Sequence, residues 1–474
     1  MRHVMRACAA VMTGATLAGI GVLGSAGASA ASTAGPGAST AVVAGARLWV
    51  SRYDGPGNGL DIASAVAVTR GGGKVFVTGT SERAAATIAY NTATGARLWV
   101  KRYGGPGDRG ANGQAVAVSP DGGTVFMAGF STGAGSGDDY VTIAYKAATG
   151  ARRWLARYNG PAGGGDEAFA LAVSPDGKTV FVTGQSSAAS SGADYATVAY
   201  NAATGAPLWS TRYGGPGTSY DSARSLAIGP GGRRLFVSGF SAGANSAEVY
   251  ATVAYDTATG KQLWAGQYQG PGVVGATSVT VSPGGGRVYV AETSGITAAT
   301  LAYDAATGAR LWARRYQGQG GHGAFAAKVA VSPDGRTVYT AATSGQMISQ
   351  DFATIAYEAS TGAQKWLRLY NGTANNADDA TALAVSQDGT VYVTGASSAA
   401  RATDYATIAY SASGKRLWVS RYNGPVNGED RPAAIAVSSA GREVFVTGRS
   451  LGPRTTGQYQ GFDYATVAYA GSGG

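Results

Sequence analysis

Ala196-Thr197-Val198-Ala199-Tyr200-Asn201-Ala202-Ala203-Thr204-Gly205-Ala206-Pro207-Leu208-Trp209 is one copy of a phrase that organises the whole chain. It returns almost unchanged at residues 86–99 and 299–312. All eight tryptophans, Trp49, Trp99, Trp154, Trp209, Trp264, Trp312, Trp366 and Trp418, close such a phrase. Their spacing of roughly 50 residues is the period of a solenoid, propeller or array. The first Trp keeps only the tail Ala44-Gly45-Ala46-Arg47-Leu48-Trp49. The matching head, Ala465-Thr466-Val467-Ala468-Tyr469, stands near the other end with no Trp after it. Joining the two ends restores an eighth copy. A ring closed by its own termini accounts for that offset, which an open solenoid would not need.

One repeat reads as four short strands. In residues 170–213, Ala170–Ser174 is apolar, Pro175-Asp176-Gly177 is a turn, and Val180–Gly184 is β-branched and aromatic. Tyr195–Tyr200 and Leu208–Tyr213 follow, joined by a turn containing Thr204-Gly205. No segment carries ten or more residues of helical periodicity, so the chain is all-β. The expectation is an eight-bladed β-propeller of four-stranded antiparallel blades. The last blade takes three strands from residues 434–469 and its outer strand from Leu48–Tyr53. One propeller domain then spans residues 45–474. Trp and the Tyr four residues later share one strand face, as in Trp209 and Tyr213, and read as blade-to-blade packing.

The beginning of the chain reads as an export signal. Arg2 and Arg6 form a positive region, an apolar stretch runs from Ala7 to Leu23, and Ala28-Ser29-Ala30 suits cleavage. We expect a signal peptide over residues 1–30, cleavage near Ala30, and a flexible Ala/Ser/Thr/Gly leader over residues 31–44. The stretch is too short and too rich in Gly and Ala for a membrane span. The mature chain is expected in the extracellular space or cell envelope. Cys8 is the single cysteine, so the mature chain has no thiolate chemistry, cysteine metal site or covalent haem. The net charge of +10 is spread through the repeats rather than clustered, which speaks against nucleic-acid binding.

The phrase Ala-Tyr-Asx-x-x-Thr-Gly-x-x-x-Trp resembles the tryptophan-docking motif of quinoprotein (PQQ-dependent) dehydrogenase propellers. The matching positions are Ala89, Gly95 and Trp99; Ala144, Gly150 and Trp154; Ala199, Gly205 and Trp209. They continue at Ala254, Gly260 and Trp264; Ala302, Gly308 and Trp312; Ala356, Gly362 and Trp366. The seventh copy, Ala409–Trp418, is one residue shorter and lacks the Thr. The resemblance implies that each Trp stacks on a Gly peptide of the next blade. It also implies eight blades closed through an N-terminal outer strand. Catalytic relatives typically carry a vicinal cysteine pair, a spare Trp under the quinone and carboxylate and amide ligands for calcium. This chain has no mature cysteine and all its Trp at docking positions, so no cofactor residue is carried over.

Asp61, Asp166, Asp221, Asp378 and Asp430 recur ahead of the first strand of five blades, with Glu167, Asp379 and Glu429 beside them. If the first strand lines the central channel, they form a partial ring at its mouth, suited to a cation or polar ligand. Alternatively each Asp braces its own turn by accepting backbone N–H bonds. Arg52, Arg102, Arg157, Arg212, Arg315 and Arg421 precede the Tyr that ends the outer strand. Asp139, Asp194, Asp404 and Asp463 open the adjacent strand, so cross-strand ion pairs are expected, against a polyanion-binding rim. Val249 and Gln267 replace both members in the fourth blade. The Ser-Pro-Asp-Gly fragments at 119–122, 174–177 and 332–335 are turns, because a calcium loop needs alternate carboxylates and a closing Glu. His322, the lone mature histidine, assembles no Ser–His–Asp set.

These readings assign no catalytic residue and no metal ligand. They point to a monomeric, secreted binding or scaffolding propeller without a cofactor. Its expected partner is an envelope protein or a cell-wall or extracellular polymer. The alternative is an oxidoreductase using PQQ and Ca²⁺, for which the Asp ring would supply oxygen donors.

Overall fold

The computed structural model describes residues 42–57, 59–135, 137–188, 192–217, 220–243, 248–269, 273–346, 349–399, 402–453 and 461–472. The expected signal peptide and most of the leader, residues 1–41, lie outside the described residues.

Among the described residues the strands form eight antiparallel sheets of four. Blade one runs Asp61–Val68, Lys74–Ser81, Ala84–Asn91 and Arg97–Tyr103. Blades two to seven repeat that meander, beginning at Ala111, Asp166, Ser222, Val273, Ala324 and Asp378. Blade eight takes Asp430–Val437, Glu443–Leu451 and Phe462–Ala470 from the end of the chain, and Arg47–Tyr53 from near its start. Trp49 pairs with Ala468 and Tyr53 with Tyr464, so the expected closure is present. Two 3-10 turns, Pro106–Asp108 and Gln319–Gly321, are the only other regular elements among the described residues.

The first strand of each blade touches the first strands of both neighbours, all the way round to blade one. These strands therefore line the axis and the Trp-bearing strands lie outside. An eight-bladed all-β propeller is the architecture.

What binds blade to blade is the Trp. Its indole Nε1–H donates to a carbonyl in the next blade's last turn: Trp99 to Ala147 at 3.1 Å, Trp154 to Ala202 at 2.9 Å, Trp312 to Ala359 at 3.1 Å. The ring covers the glycine of that turn. A Cβ at Gly205 would stand 2.6 Å from the Trp154 ring, and Gly205 has φ +74°. Both the left-handed backbone and the missing side chain therefore require glycine there. The rest of each interface is mainly Val, Ile, Leu, Ala, Phe and Tyr from the inner three strands, buried between neighbouring blades.

Candidate functional site

The loops entering the first strands and the hairpins joining second to third strands gather at one end of the ring, here called the upper face. The five candidate aspartates lie just beneath it. Asp61, Asp166, Asp221, Asp378 and Asp430 are all completely buried. Each Oδ2 accepts the backbone N–H of the glycine six residues earlier, for example Gly160 on Asp166 at 2.7 Å and Gly424 on Asp430 at 2.6 Å. Gly55, Gly215 and Gly372 do the same for Asp61, Asp221 and Asp378. Burial pushes all five carboxyls above their ordinary value, while the neighbouring serine hydroxyl and the glycine N–H pull them back. They brace loops instead of forming an open ring at the mouth. The bracing alternative is the geometry observed, and strand alternation accounts for it in four blades: Asp turns into the wall, and the next residue, Ile62, Glu167, Asp379 or Arg431, is the partly exposed one.

The arginines form a second, connected layer. Arg52–Asp463, Arg157–Asp139, Arg212–Asp194 and Arg421–Asp404 close at 2.6–3.0 Å, as the register predicts. Arg102 departs from the pattern: blade one has Ala84 where the Asp would stand, and Glu82 answers from the hairpin at 3.2 Å. Arg315 has no acidic partner in its own hairpin; its Nε donates to Tyr268 at 2.6 Å. These pairs are less exposed than a rim would be, with Arg212 and Asp194 at 22 % and 17 %. Arg102, Arg157 and Arg421 also donate to Tyr53, Tyr103 and Tyr370 of the preceding blade. Their work is therefore partly inter-blade adhesion. In blade four, Gln267 keeps this last bond alone, to Tyr213 at 3.2 Å.

With those groups committed, what distinguishes the upper face is where single blades break the repeat. Between blades seven and eight, Arg431 pairs with Asp379 at 3.6 Å and Glu429 at 3.0 Å, and Arg449 also reaches Glu429 at 2.5 Å. Between blades three and four, Arg224 lies over the Phe169 ring, 4.1 Å from its centre, and 5.6 Å from that of Phe240. Phe169 and Arg224 occupy the same place in adjacent blades, the bulge residue that the first-strand ladder skips. A bulge re-aims its side chain. Burial lowers the Arg224 guanidinium below its ordinary value, with Tyr220 and Glu167 opposing. Tyr220 and Ser222 both donate to Gln185 Oε1.

Two further charges are buried in the wall. Glu292 is 1 % exposed and takes the place of the glycine found at Gly79, Gly184 and Gly448. Burial pushes its carboxyl well above the usual range, against the pull of Arg315 and Arg310. Lys328 stands where Ala65, Ala170 and Ala382 stand elsewhere, and burial lowers its ammonium to about 8. The sequence reading passed over Arg224, Glu292 and Lys328. Superposing the repeats position by position would have exposed them, Glu292 and Lys328 as long side chains among small residues and Arg224 as the one charge at the bulge position. His322 stands exposed beside Gln346.

Among the described residues no three His, Cys, Asp or Glu side chains converge as a metal-binding set. Each wall aspartate gives Oδ2 to its own loop, and the Oδ1 atoms of Asp61, Asp166, Asp378 and Asp430 are buried without a partner. The five carboxylates are held apart on separate blades and do not converge as a calcium site requires.

A family model of PQQ-like repeats, described as outer membrane protein assembly factor BamB, matches residues 137–354 and 297–458. The chain belongs to this PQQ-like β-propeller family. No curated protein sequence matches the chain. The fold is similar to the Dos1 propeller, with a TM-score of 0.57 at 10 % identity over 89 % of this chain and 95 % of that one. It is also similar to quinohemoprotein alcohol dehydrogenase ADHIIG from Pseudomonas putida HK5, with 0.55 at 15 % identity over 90 % and 76 %. Chaetomium thermophilum Sqt1, solved bound to the N-terminus of ribosomal protein L10, gives 0.57 at 11 % identity over 88 % and 98 %. At these identities the likeness is one of fold, and that fold carries both enzymes and protein-binding propellers. No helix among the described residues is long and apolar enough to cross a membrane.

Proposed function

We propose that this protein is an exported binding or scaffolding propeller without catalysis of its own. Its partner is an envelope protein or an extracellular polymer, held on the upper face. One observation carries the reading. The recurring acids and arginines engage in loop bracing and blade adhesion, whereas the partly exposed charges that differ from blade to blade, Arg224 and Arg431 with their neighbours, stand at the upper mouth. An asymmetric set of charged and aromatic side chains on a rigid ring suits recognition. The family model's description, an outer membrane assembly factor, is compatible with a protein partner in the envelope.

Capture of partners from envelope extracts by the immobilised chain tests this reading. Retention of a defined partner, weakened by substitutions at Arg431 and Arg224, is expected. Failure to retain any partner, together with dye-linked alcohol oxidation in the presence of PQQ and Ca²⁺, would overturn it. N-terminal sequencing of the exported protein tests the companion expectation of cleavage near Ala30.

A further inference from the structure

Two arginines rise from innermost strands at the upper mouth, and they are treated differently. Arg431 is neutralised by Asp379 and Glu429. Arg224 forms no ion pair among the described residues, and its Nε is buried without an acceptor. It is nevertheless held firmly. The Phe169 and Phe240 rings lie at cation–π distance from the guanidinium carbon, 4.1 and 5.6 Å to their centres, and such contacts use the aromatic face without consuming N–H donors. A flat fork that forms no ion pair among the described residues matches a planar carboxylate, which accepts two parallel N–H bonds.

The surroundings narrow the choice. Gln185 Oε1 is already taken by Tyr220 and Ser222, so its amide N–H groups are what it has left to offer. Tyr220 is 46 % exposed and presents an aromatic face beside the fork. Glu167 interacts with Arg224 electrostatically without reaching ion-pair distance. A fixed negative charge there disfavours a dianion more than a monoanion. Charge, amide donors and aromatic surface together are the composition of a peptide hot spot.

We propose that the Arg224 guanidinium, packed against Phe169 and Phe240, receives a peptide carboxylate that stands next to an apolar side chain. The carboxylate takes the free N–H edge of Arg224, the Gln185 amide donates beside it, and the apolar side chain lies on Tyr220. This deepens the binding-module reading by naming the chemistry of the partner segment, and it rests on that reading.

The Nε–H of Arg224 gives its own nitrogen-proton resonance, assignable by its loss in Arg224→Lys. The probes are N-acetylphenylalanine, its C-terminal amide, inorganic phosphate and galacturonate. Saturable movement of that resonance by N-acetylphenylalanine is expected, with the amide and phosphate at least about tenfold weaker. Equal binding of the amide, tighter binding of phosphate or galacturonate, or no movement with N-acetylphenylalanine would overturn the proposal. Should Arg224→Lys fail to fold, Glu167→Gln serves instead, and it should narrow the margin between carboxylate and phosphate. A partner captured equally well by the wild type and Arg224→Lys would refute this site and leave the binding reading intact. Probe binding without any captured partner, together with dye-linked alcohol oxidation, would refute the broader reading alone.

Discussion

Trp418 of blade seven covers Gly45, which precedes the outer strand of blade eight, and a Cβ on that glycine would stand 2.8 Å from the indole. Trp49 then covers Gly95 of blade one. The two junctions flanking the closing blade therefore use the same Trp-on-glycine contact as the other six, although the Trp418 indole donates to the Ser472 hydroxyl where the other tryptophans donate to a backbone carbonyl.

Gly45→Ala should be destabilising although it adds one methyl, because φ is +81° and the indole already fills the space. Trp49→Ala should cost on the order of 3–5 kcal/mol. Denaturant midpoints followed by tryptophan fluorescence check both. A Gly45→Ala midpoint equal to the wild type would mean that the closing contact contributes nothing.

Asp166 separates bracing from binding. Asp166→Asn keeps an acceptor for the Gly160 N–H and relieves a carboxyl whose ionisation burial opposes. Asp166→Ala strands that N–H and should lose about 1–3 kcal/mol. At neutral pH the Asn variant should melt close to the wild type and the Ala variant well below. Equal loss in both would require the negative charge itself.

Glu292 predicts a pH dependence with a definite sign. Its folded carboxyl holds its proton more tightly than the unfolded one. Its stabilising contribution is therefore complete below the unfolded value and lost as pH rises through the folded one. Between those limits the wild type should lose stability relative to Glu292→Gln by up to about 1.4 kcal/mol per pH unit. Melting curves of the pair across that range supply the check, and a constant difference would contradict it.

Lys328 behaves in the opposite direction. A depressed ammonium contributes fully only above the unfolded value, and that contribution falls away as pH drops through about 8. Lys328→Met should therefore be the more stable protein near pH 7, by on the order of 1–3 kcal/mol. The gap should shrink as pH approaches that of free lysine. A Met variant less stable at pH 7 would show that the ammonium's contacts outweigh its burial.

The architecture was legible because it is written eight times. The Trp register set the blade count, and the divided phrase located the closure between Leu48–Tyr53 and Thr466–Tyr469. The ion pairs were legible for the same reason, except where Glu82 replaces the missing Asp of blade one. The site was not, because a repeat reading looks for what recurs. Arg224, Glu292 and Lys328 each occur once, in columns otherwise filled by other residue types. The aspartates stayed open in the sequence, between a ring at the channel mouth and braces for their own turns. Alternation puts Asp61 and Ile62 on opposite sides of a strand, but a sequence does not say which side meets the axis.

The pairing of Arg47 with Tyr469 has a mechanical consequence. The outer strand of blade eight meets its neighbour so that both chain ends leave from the same edge of the ladder. Tension applied between Arg47 and Ala470 would open that ladder like a zipper, one residue pair at a time, instead of shearing all its hydrogen bonds together. The ring would thus yield first at blade eight under a pull on its ends. The other seven blades, continuous in the chain, would hold their hairpins until that strand had come away.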